Sequence, residues 1–345
     1  VAAQACRDEA RMTAPKLFAL VIAALAMLGA AWYYSSERNL PRDAAAAPLL
    51  PGLSADLSAI TAVTIRHGAP LPGVQLHRVA QTWTVAERGD YPANVTKLRR
   101  LLLSLADARK VEEKTSNPAN YAQLGVDDPG APAATGTEIS VVDSGGKHAI
   151  IVGKAIGNGS FVRPADSATS AIVEPAISVE TDPHYWIDAA LIDVPPAEIA
   201  AVALKPDTGP AYVLRRSSPA TTEFALAAVP AGRTAQDATA LGRVTRAFAN
   251  LTADDVAPAA TIDFSHAAKT EITLTDGGVI SIRGAAAGEQ RWLELEWPKN
   301  AALDAKFRGH AYSVPRYRYD EIFPPLEQWL QPKPAAPASH LKPPH

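Results

Sequence analysis

The sequence predicts an α+β protein in which one N-terminal transmembrane helix is followed by two tandem repeats, each a mostly antiparallel sheet with one packed helix. Three observations predict it. Residues 17–34 form an uncharged run of 18. The stretches Thr137-Glu138-Ile139-Ser140-Val141-Val142-Asp143 and Thr270-Glu271-Ile272-Thr273-Leu274-Thr275-Asp276 share four of seven residues, which signals internal duplication. A helix-period apolar stripe precedes each of them. The chain then divides into a short N-terminal segment (1–16), a transmembrane helix (17–34), an Ala/Pro-rich linker (35–52), a first α+β repeat (53–193), a second α+β repeat (194–330) and a Pro-rich flexible tail (331–345).

At about 1.5 Å of rise per residue, a helix over residues 17–34 just crosses the hydrocarbon core of a bilayer. Lys16 flanks one end, and Trp32, Tyr33 and Tyr34 sit at the other, where amphipathic rings favour the headgroup layer, with Glu37 and Arg38 beyond. A cleavable leader is the alternative, because Ala24-Leu25-Ala26 and Gly29-Ala30-Ala31 place small residues near the end of the run. Arg7, Arg11 and Lys16 before the run, against Arg38 and Arg42 after it, favour a cytoplasmic N-terminus. Residues 42–52, with Pro48 and Pro51, read as an extended tether.

Each half then follows one plan. Ile60, Val63 and Ile65 open the first as a strand, and Ile199, Val202 and Leu204 open the second. Hairpins follow over residues 74–85, containing Trp83, and 212–226, containing Phe224, each offering a large aromatic to a core. Leu98, Leu101, Leu102, Leu105 and Ala108 define a helix in the first half; Leu241, Val244, Phe248 and Leu251 define one in the second. Arg99, Arg100, Arg243 and Arg246 fall on the solvent faces. Gly145-Gly146 and Gly277-Gly278 supply the positive φ that tight hairpin turns require. Val194-Pro195-Pro196 interrupts regular structure where the halves meet, a short helix over 320–330 closes the second half, and the tail carries five prolines.

With 47% hydrophobic residues the chain can bury two domain-sized cores. Lys and Arg number 33 against 36 for Asp and Glu, a net charge of −3, so there is no basic field of the kind a phosphate backbone rewards, and nucleic acid is not an expected partner. The single cysteine, Cys6, excludes an intramolecular disulfide and any CxxC site. His67, His77, His148, His184, His266 and His310 are scattered without HxH or HExxH spacing, Gly153-Lys154 and Gly157-Asn158-Gly159-Ser160 match neither GxGxxG nor GxxxxGK[ST], and no GxSxG elbow is present. No catalytic, cofactor-binding or metal-ligating residue is assigned, and an enzyme is not expected.

Two segments stand out as possible partner contacts. Tyr121, Leu124, Asp127 and Asp128 place an aromatic and two carboxylates in one loop closed by Pro129. The alternative is a turn in which an Asp caps a backbone amide and Tyr121 and Leu124 plug the sheet edge. Residues 308–319 alternate cations and aromatics, ending in Arg316, Tyr317, Arg318 and Tyr319, a composition able to stack on a polymer or grip a carboxylate. An alternating strand with one solvated face accounts for it equally well.

The first half resembles a bacterial envelope family, domain of unknown function 4340. The resemblance rests on Tyr91-Pro92-Ala93-Asn94, Glu113-Lys114-Thr115 and Tyr121-Ala122-Gln123-Leu124-Gly125-Val126-Asp127-Asp128-Pro129. It continues through Ile151-Val152-Gly153-Lys154, Phe161-Val162-Arg163 and Tyr185-Trp186-Ile187-Asp188, and more faintly at Asp254-Asp255-Val256-Ala257-Pro258, covering most of residues 55–325. It implies a single-pass protein of the bacterial inner membrane with a periplasmic or otherwise extracytoplasmic globular region. It further implies an accessory or scaffolding role in an ABC-transporter-type envelope complex. The partners would then be inner-membrane transporter or envelope complex subunits, with the lipid bilayer contacted through residues 17–34. The resemblance carries over no catalytic residues, and the second half lacks the Tyr-to-Pro loop. The other reading is an envelope ligand-binding protein that holds a glycan, lipid or peptide in the cleft between the repeats.

Overall fold

A computed structural model describes residues 27–29, 47–51, 53, 57–68, 73–130 and 133–332. The protein is an α+β structure dominated by antiparallel sheet. In the first half, β1 (Ala62–His67), β2 (Val74–Val79), β3 (Thr82–Val85), β4 (Tyr91–Pro92), β5 (Arg109–Glu113), β6 (Thr137–Asp143), β7 (Gly146–Ile156), β8 (Gly159–Pro164) and β9 (Ala171–Glu174) form one sheet. Its strand order is β4-β3-β2-β1-β6-β7-β8-β9-β5. The period of two sets the faces: Val63 and Ile65 point into the core beside Val141 and Ile139, whereas Thr64 and Arg66 point away.

The second half repeats the alternation in β11 (Ile199–Lys205), where Val202 turns inward between Leu214 and Ile272, and Leu204 between Tyr212 and Thr270. With β12 (Tyr212–Arg216), β13 (Phe224–Leu226), β15 (Asp255–Pro258), β16 (Ala268–Leu274), β17 (Val279–Ala287), β18 (Gln290–Glu296) and β19 (His310–Val314) it builds a sheet of order β13-β12-β11-β16-β17-β18-β19-β15. Between the sheets, β10 (Ala190–Ile192) pairs with β14 (Leu251–Thr252). Both glycine pairs sit in hairpin turns, with Gly146 at φ 129° and Gly277 at φ 81°, and the carboxylates of Asp143 and Asp276 accept from the amides of Gly145 and Gly278.

Helix α1 (Val95–Asp107) forms where the leucine stripe predicts it. Asn94 caps it by accepting the Lys97 amide, and Leu98, Leu101, Leu102, Leu105 and Ala106 face the first sheet. The remaining helices are short: α2 (Tyr121–Leu124), α3 (Pro183–Trp186), α4 (Ala238–Leu241), α5 (Ala301–Phe307) and α6 (Arg316–Ile322).

Four sequence expectations are corrected. The second-half helix is a single α turn, α4, that continues as a 3₁₀ helix, Gly242–Phe248, while Leu251 lies on β14. Gly242 and the β-branched Val244 and Thr245 weaken the α form, and the Thr245 hydroxyl bonds back to the Gly242 carbonyl, three residues earlier. The aromatic-basic segment is not one strand, because β19 ends at Val314 and Pro315, at φ −60°, starts α6. The closing helix over 320–330 is split at Pro324 and Pro325 into the end of α6 and a 3₁₀ turn, Leu326–Trp329. Lastly, the folded body starts inside the supposed tether: Leu49 and Leu53 are buried, and the Leu49 and Lys110 amides bond to the Ala108 and Ala47 carbonyls along β5.

One hydrophobic cluster runs from Leu49 to Leu330 and takes in both sheets. A second, smaller cluster of Tyr121, Val126 and Ile151, with Leu124 and Phe161 against it, covers the opposite face of the first sheet. The C-terminal segment is tied to the second sheet where the Tyr212 hydroxyl donates to the Pro324 carbonyl (2.6 Å) and the Trp329 indole donates to Tyr212 (2.7 Å). The expected transmembrane helix, 17–34, lies outside the described residues except for 27–29, which are helical. Among the described residues no helix is long and apolar enough to cross a membrane.

Candidate functional site

The Tyr121 loop is built around a buried cation. Arg163, on β8, is 4% exposed. It donates from Nε to the Val126 carbonyl (3.0 Å), from Nη1 to the Ser167 carbonyl (3.1 Å) and from Nη2 to Asp128 Oδ1 (2.5 Å). Its guanidinium also lies 4.6 Å from the centre of the Tyr121 ring. A guanidinium can be buried only when its donors are met, and here the loop meets them. The Tyr121 hydroxyl donates to the Ala168 carbonyl. Asp127 accepts from the Thr135 amide (3.0 Å) and hydroxyl (3.2 Å). Tyr121 therefore plugs the sheet, Leu124 is half-buried beside it, and Asp128 keeps a side chain that is 75% exposed.

The second segment is divided in the same way. Tyr319 is buried and its hydroxyl donates to Asp207 (3.1 Å), with burial pushing its pKa up and Asp207 adding to the shift. Arg318 pairs with Glu321 (2.9 Å) and reaches the Ala249 carbonyl (3.2 Å). Arg316 is exposed, and Tyr317 is 64% exposed. Among the described residues no hydrogen bond, ion pair or ring contact joins the 316–319 group to the 121–128 group; they stand on different sheets.

A third set of contacts lies at the seam between the sheets, where Tyr91, Asp188 and Asp255, each inside a stretch that carries the family resemblance, come together. Tyr91, on β4, and Tyr312, on β19, meet edge to face at 5.9 Å, with His310 5.1 Å from Tyr91. Their hydroxyls donate to the Asp188 and Lys306 carbonyls (3.2 and 3.1 Å). Burial pushes both phenols well above the usual tyrosine range, and for Tyr91 the neighbouring Tyr312 adds to the effect. Around this pair Arg88 grips Asp255 with two bonds (2.6 and 3.0 Å), and Lys306, whose side chain is 11% exposed, bonds to Asp188 Oδ2 and the Ala190 carbonyl, both at 2.6 Å. A backbone bond from Ala253 to Ala189 (2.8 Å) completes the seam.

Arg88 and Asp255 are 167 residues apart, so their pairing carries no sequence signal. Arg163 did leave one, as an arginine on a strand whose same-face neighbours, Phe161 and Ile151, are apolar. Among the described residues no three His, Cys, Asp or Glu side chains are grouped to hold a metal. The site's chemistry is that of holding: fixed ion pairs, satisfied donors and a few exposed charged or aromatic side chains at its margins.

Compared with known proteins, residues 83–300 match the family model described as a domain of unknown function (DUF4340). Neither the curated proteins nor the solved structures give a match.

Proposed function

Since the chain belongs to the DUF4340 family, we propose that it serves as a membrane-anchored extracytoplasmic interaction or scaffolding protein, an accessory component of an ABC-transporter-type envelope complex. The observation that carries this reading is the closed seam. Two sheets share one core and are cross-linked by Arg88–Asp255 and Lys306–Asp188, which makes a stiff body suited to presenting fixed contacts. Residues 17–34 supply the anchor in this reading. The exposed parts of the two singled-out segments, Asp128, Arg316 and Tyr317, are its outward contacts, while Tyr121 and Tyr319 hold those segments in place.

We also read the two sheets as tandem copies of one unit. In support, the order β3-β2-β1-β6-β7-β8-β9-β5 of the first sheet, which β4 extends beyond β3, matches the order β13-β12-β11-β16-β17-β18-β19-β15 of the second. The ligand-binding alternative has less behind it, because Tyr91, Tyr312, Lys306 and Asp188 fill the boundary where such a cleft would lie.

Photo-crosslinkers placed at Asp128 and Tyr317 of the full chain in native membranes test the proposal. An adduct with a polytopic transporter subunit from either position is the expected result. A chain that migrates alone in mild detergent and gives no adduct from either position refutes it.

A further inference from the structure

The solvent face of α1 combines exposed apolar side chains with arginines. Val95, Arg99 and Leu103 follow one another at i, i+4 spacing, with Arg100 beside them, and Val95 and Leu103 are 54% and 41% exposed. Among the described residues Arg99 and Arg100 have no hydrogen-bond or ion-pair partner. In a chain of net charge −3, residues 95–110 hold five cations, Lys97, Arg99, Arg100, Arg109 and Lys110, against one anion, Asp107. Two of these cations are committed inward: Lys97 bonds to the Tyr185 carbonyl (2.7 Å), and Arg109 bonds to the Ala106 and Ala108 carbonyls (2.8 and 3.2 Å). Glu180 lines the same groove as Lys97 and Arg100, and Glu112 is already paired with Lys114 (2.5 Å).

The position of this face matters as much as its charge. The N-terminal part of the chain joins the fold at the foot of α1, where Leu49 bonds to Ala108 and Ala47 to Lys110. If residues 17–34 are held in lipid, only residues 35–46 separate the bilayer from that point, a reach of at most about 40 Å. Helix α1, with 13 residues, is itself about 20 Å long. We propose that the solvent face of α1, through Arg99, Arg100, Val95 and Leu103, lies against an anionic phospholipid surface. The two arginines supply the attraction to lipid phosphate, and the two apolar side chains reach into the headgroup layer. This rests on the anchored reading above, and the test separates the two.

The full chain, carrying Cys6→Ser and Leu103→Cys, is labelled at position 103 with a polarity-sensitive fluorophore. It is then reconstituted with vesicles of phosphatidylcholine, with or without phosphatidylglycerol. The expected result is blue-shifted emission only with phosphatidylglycerol, reverting in roughly 1 M salt, where screening is nearly complete. Each arginine near an anionic leaflet is worth roughly fivefold in the contact equilibrium, so Arg99→Gln with Arg100→Gln lowers the ratio of dry to aqueous label about 25-fold. Arg243→Gln with Arg246→Gln, the matching exposed arginines of the second half, leaves it unchanged. A chain that floats with both vesicle types while the label stays aqueous overturns the proposal, leaves the anchor intact and points to an acidic protein on this face instead. A chain that floats only with anionic vesicles and has a dry label upholds the proposal and removes the anchor. A chain that floats with neither removes both.

Discussion

The two sheets share a strand order but not a second face. On the first, Ile151, Phe161 and Arg163 lie under the Tyr121 loop. On the second, the corresponding surface is polar: Lys269 sits opposite Arg283, Arg283 opposite Glu294, and Glu271 opposite Ser281. The first sheet is therefore covered on both sides for part of its width, and the second on one. Burying a sheet face requires a covering segment whose polar backbone is itself satisfied, and Arg163 is what satisfies this one. The arginines that mark the two faces stand on non-equivalent strands, β8 and β17, and are answered differently: Arg163 by the carbonyls of a covering loop, Arg283 by a cross-strand glutamate with its side chain 42% exposed.

The largest expected effect falls on what the sheets have in common. Tyr91 and Tyr312 keep their protons when folded, whereas in the unfolded chain they ionise near their ordinary value of 10.0. Above that pH the folded state binds more protons than the unfolded one, so stability present below pH 10 is lost as pH rises. The loss is about 1.4 kcal/mol per pH unit for each tyrosine, and urea titrations at stepped alkaline pH measure it. Both halves should unfold in the same transition, since both border the seam. Two separate alkaline transitions would show the sheets to be independent.

Arg163→Ala sharpens the contrast between the faces. It strands the Val126 and Ser167 carbonyls and removes the partner of Asp128, at a cost of about 3 kcal/mol. Arg283→Ala breaks a pair with Glu294 whose arginine side chain is 42% exposed, at a cost below about 1 kcal/mol. Equal losses on denaturation would erase the distinction.

Glycines make the same point at close range. A methyl group at Gly153 would meet the Leu124 carbonyl at 2.4 Å, and one at Gly284 would meet the Phe323 ring at 2.2 Å. Each Gly→Ala change should cost about 2 kcal/mol, but only Gly153→Ala should lift the 121–130 loop and expose it to limited proteolysis. Helix caps follow: Asn94→Ala should cost about 1 kcal/mol, and Asp237→Ala, capping a helix of one turn, about half as much. The smallest effect is acidic. Hydrogen bonding from Lys299 holds Asp276 below its ordinary 3.8, and Arg233 holds Glu327 below 4.5, so their contribution is present above those values and fades as pH falls through the lowered ones. Asp276→Asn and Glu327→Gln should flatten the acid limb of the stability profile.

Local chemistry was readable and distant chemistry was not. The α1 stripe, the opening strands and both glycine turns were legible because each depends on neighbours within a few residues. The second helix misled because an apolar spacing of three to four residues is shared by α and 3₁₀ turns, and the glycine and β-branched residues that decide between them leave the stripe intact. Tyr121 could be foreseen as a plug or a contact, but the cation beneath it came from a strand 42 residues later in the chain. The stretches holding Tyr91, Asp188 and Asp255 stood out as resemblance motifs, but their meeting at a seam did not, since Arg88–Asp255 and Lys306–Asp188 exist only once both sheets have folded.

The short stretch at residues 47–49 has a mechanical consequence. Tension carried down the polypeptide from its N-terminal side enters the folded body at two hydrogen bonds, Ala47 to Lys110 and Leu49 to Ala108, with the Leu49 side chain wedged behind them. A pull would peel this selvage before loading any interior strand. The same ribbon occupies part of the outer rim of β5 and so denies that rim to stray strands from other molecules.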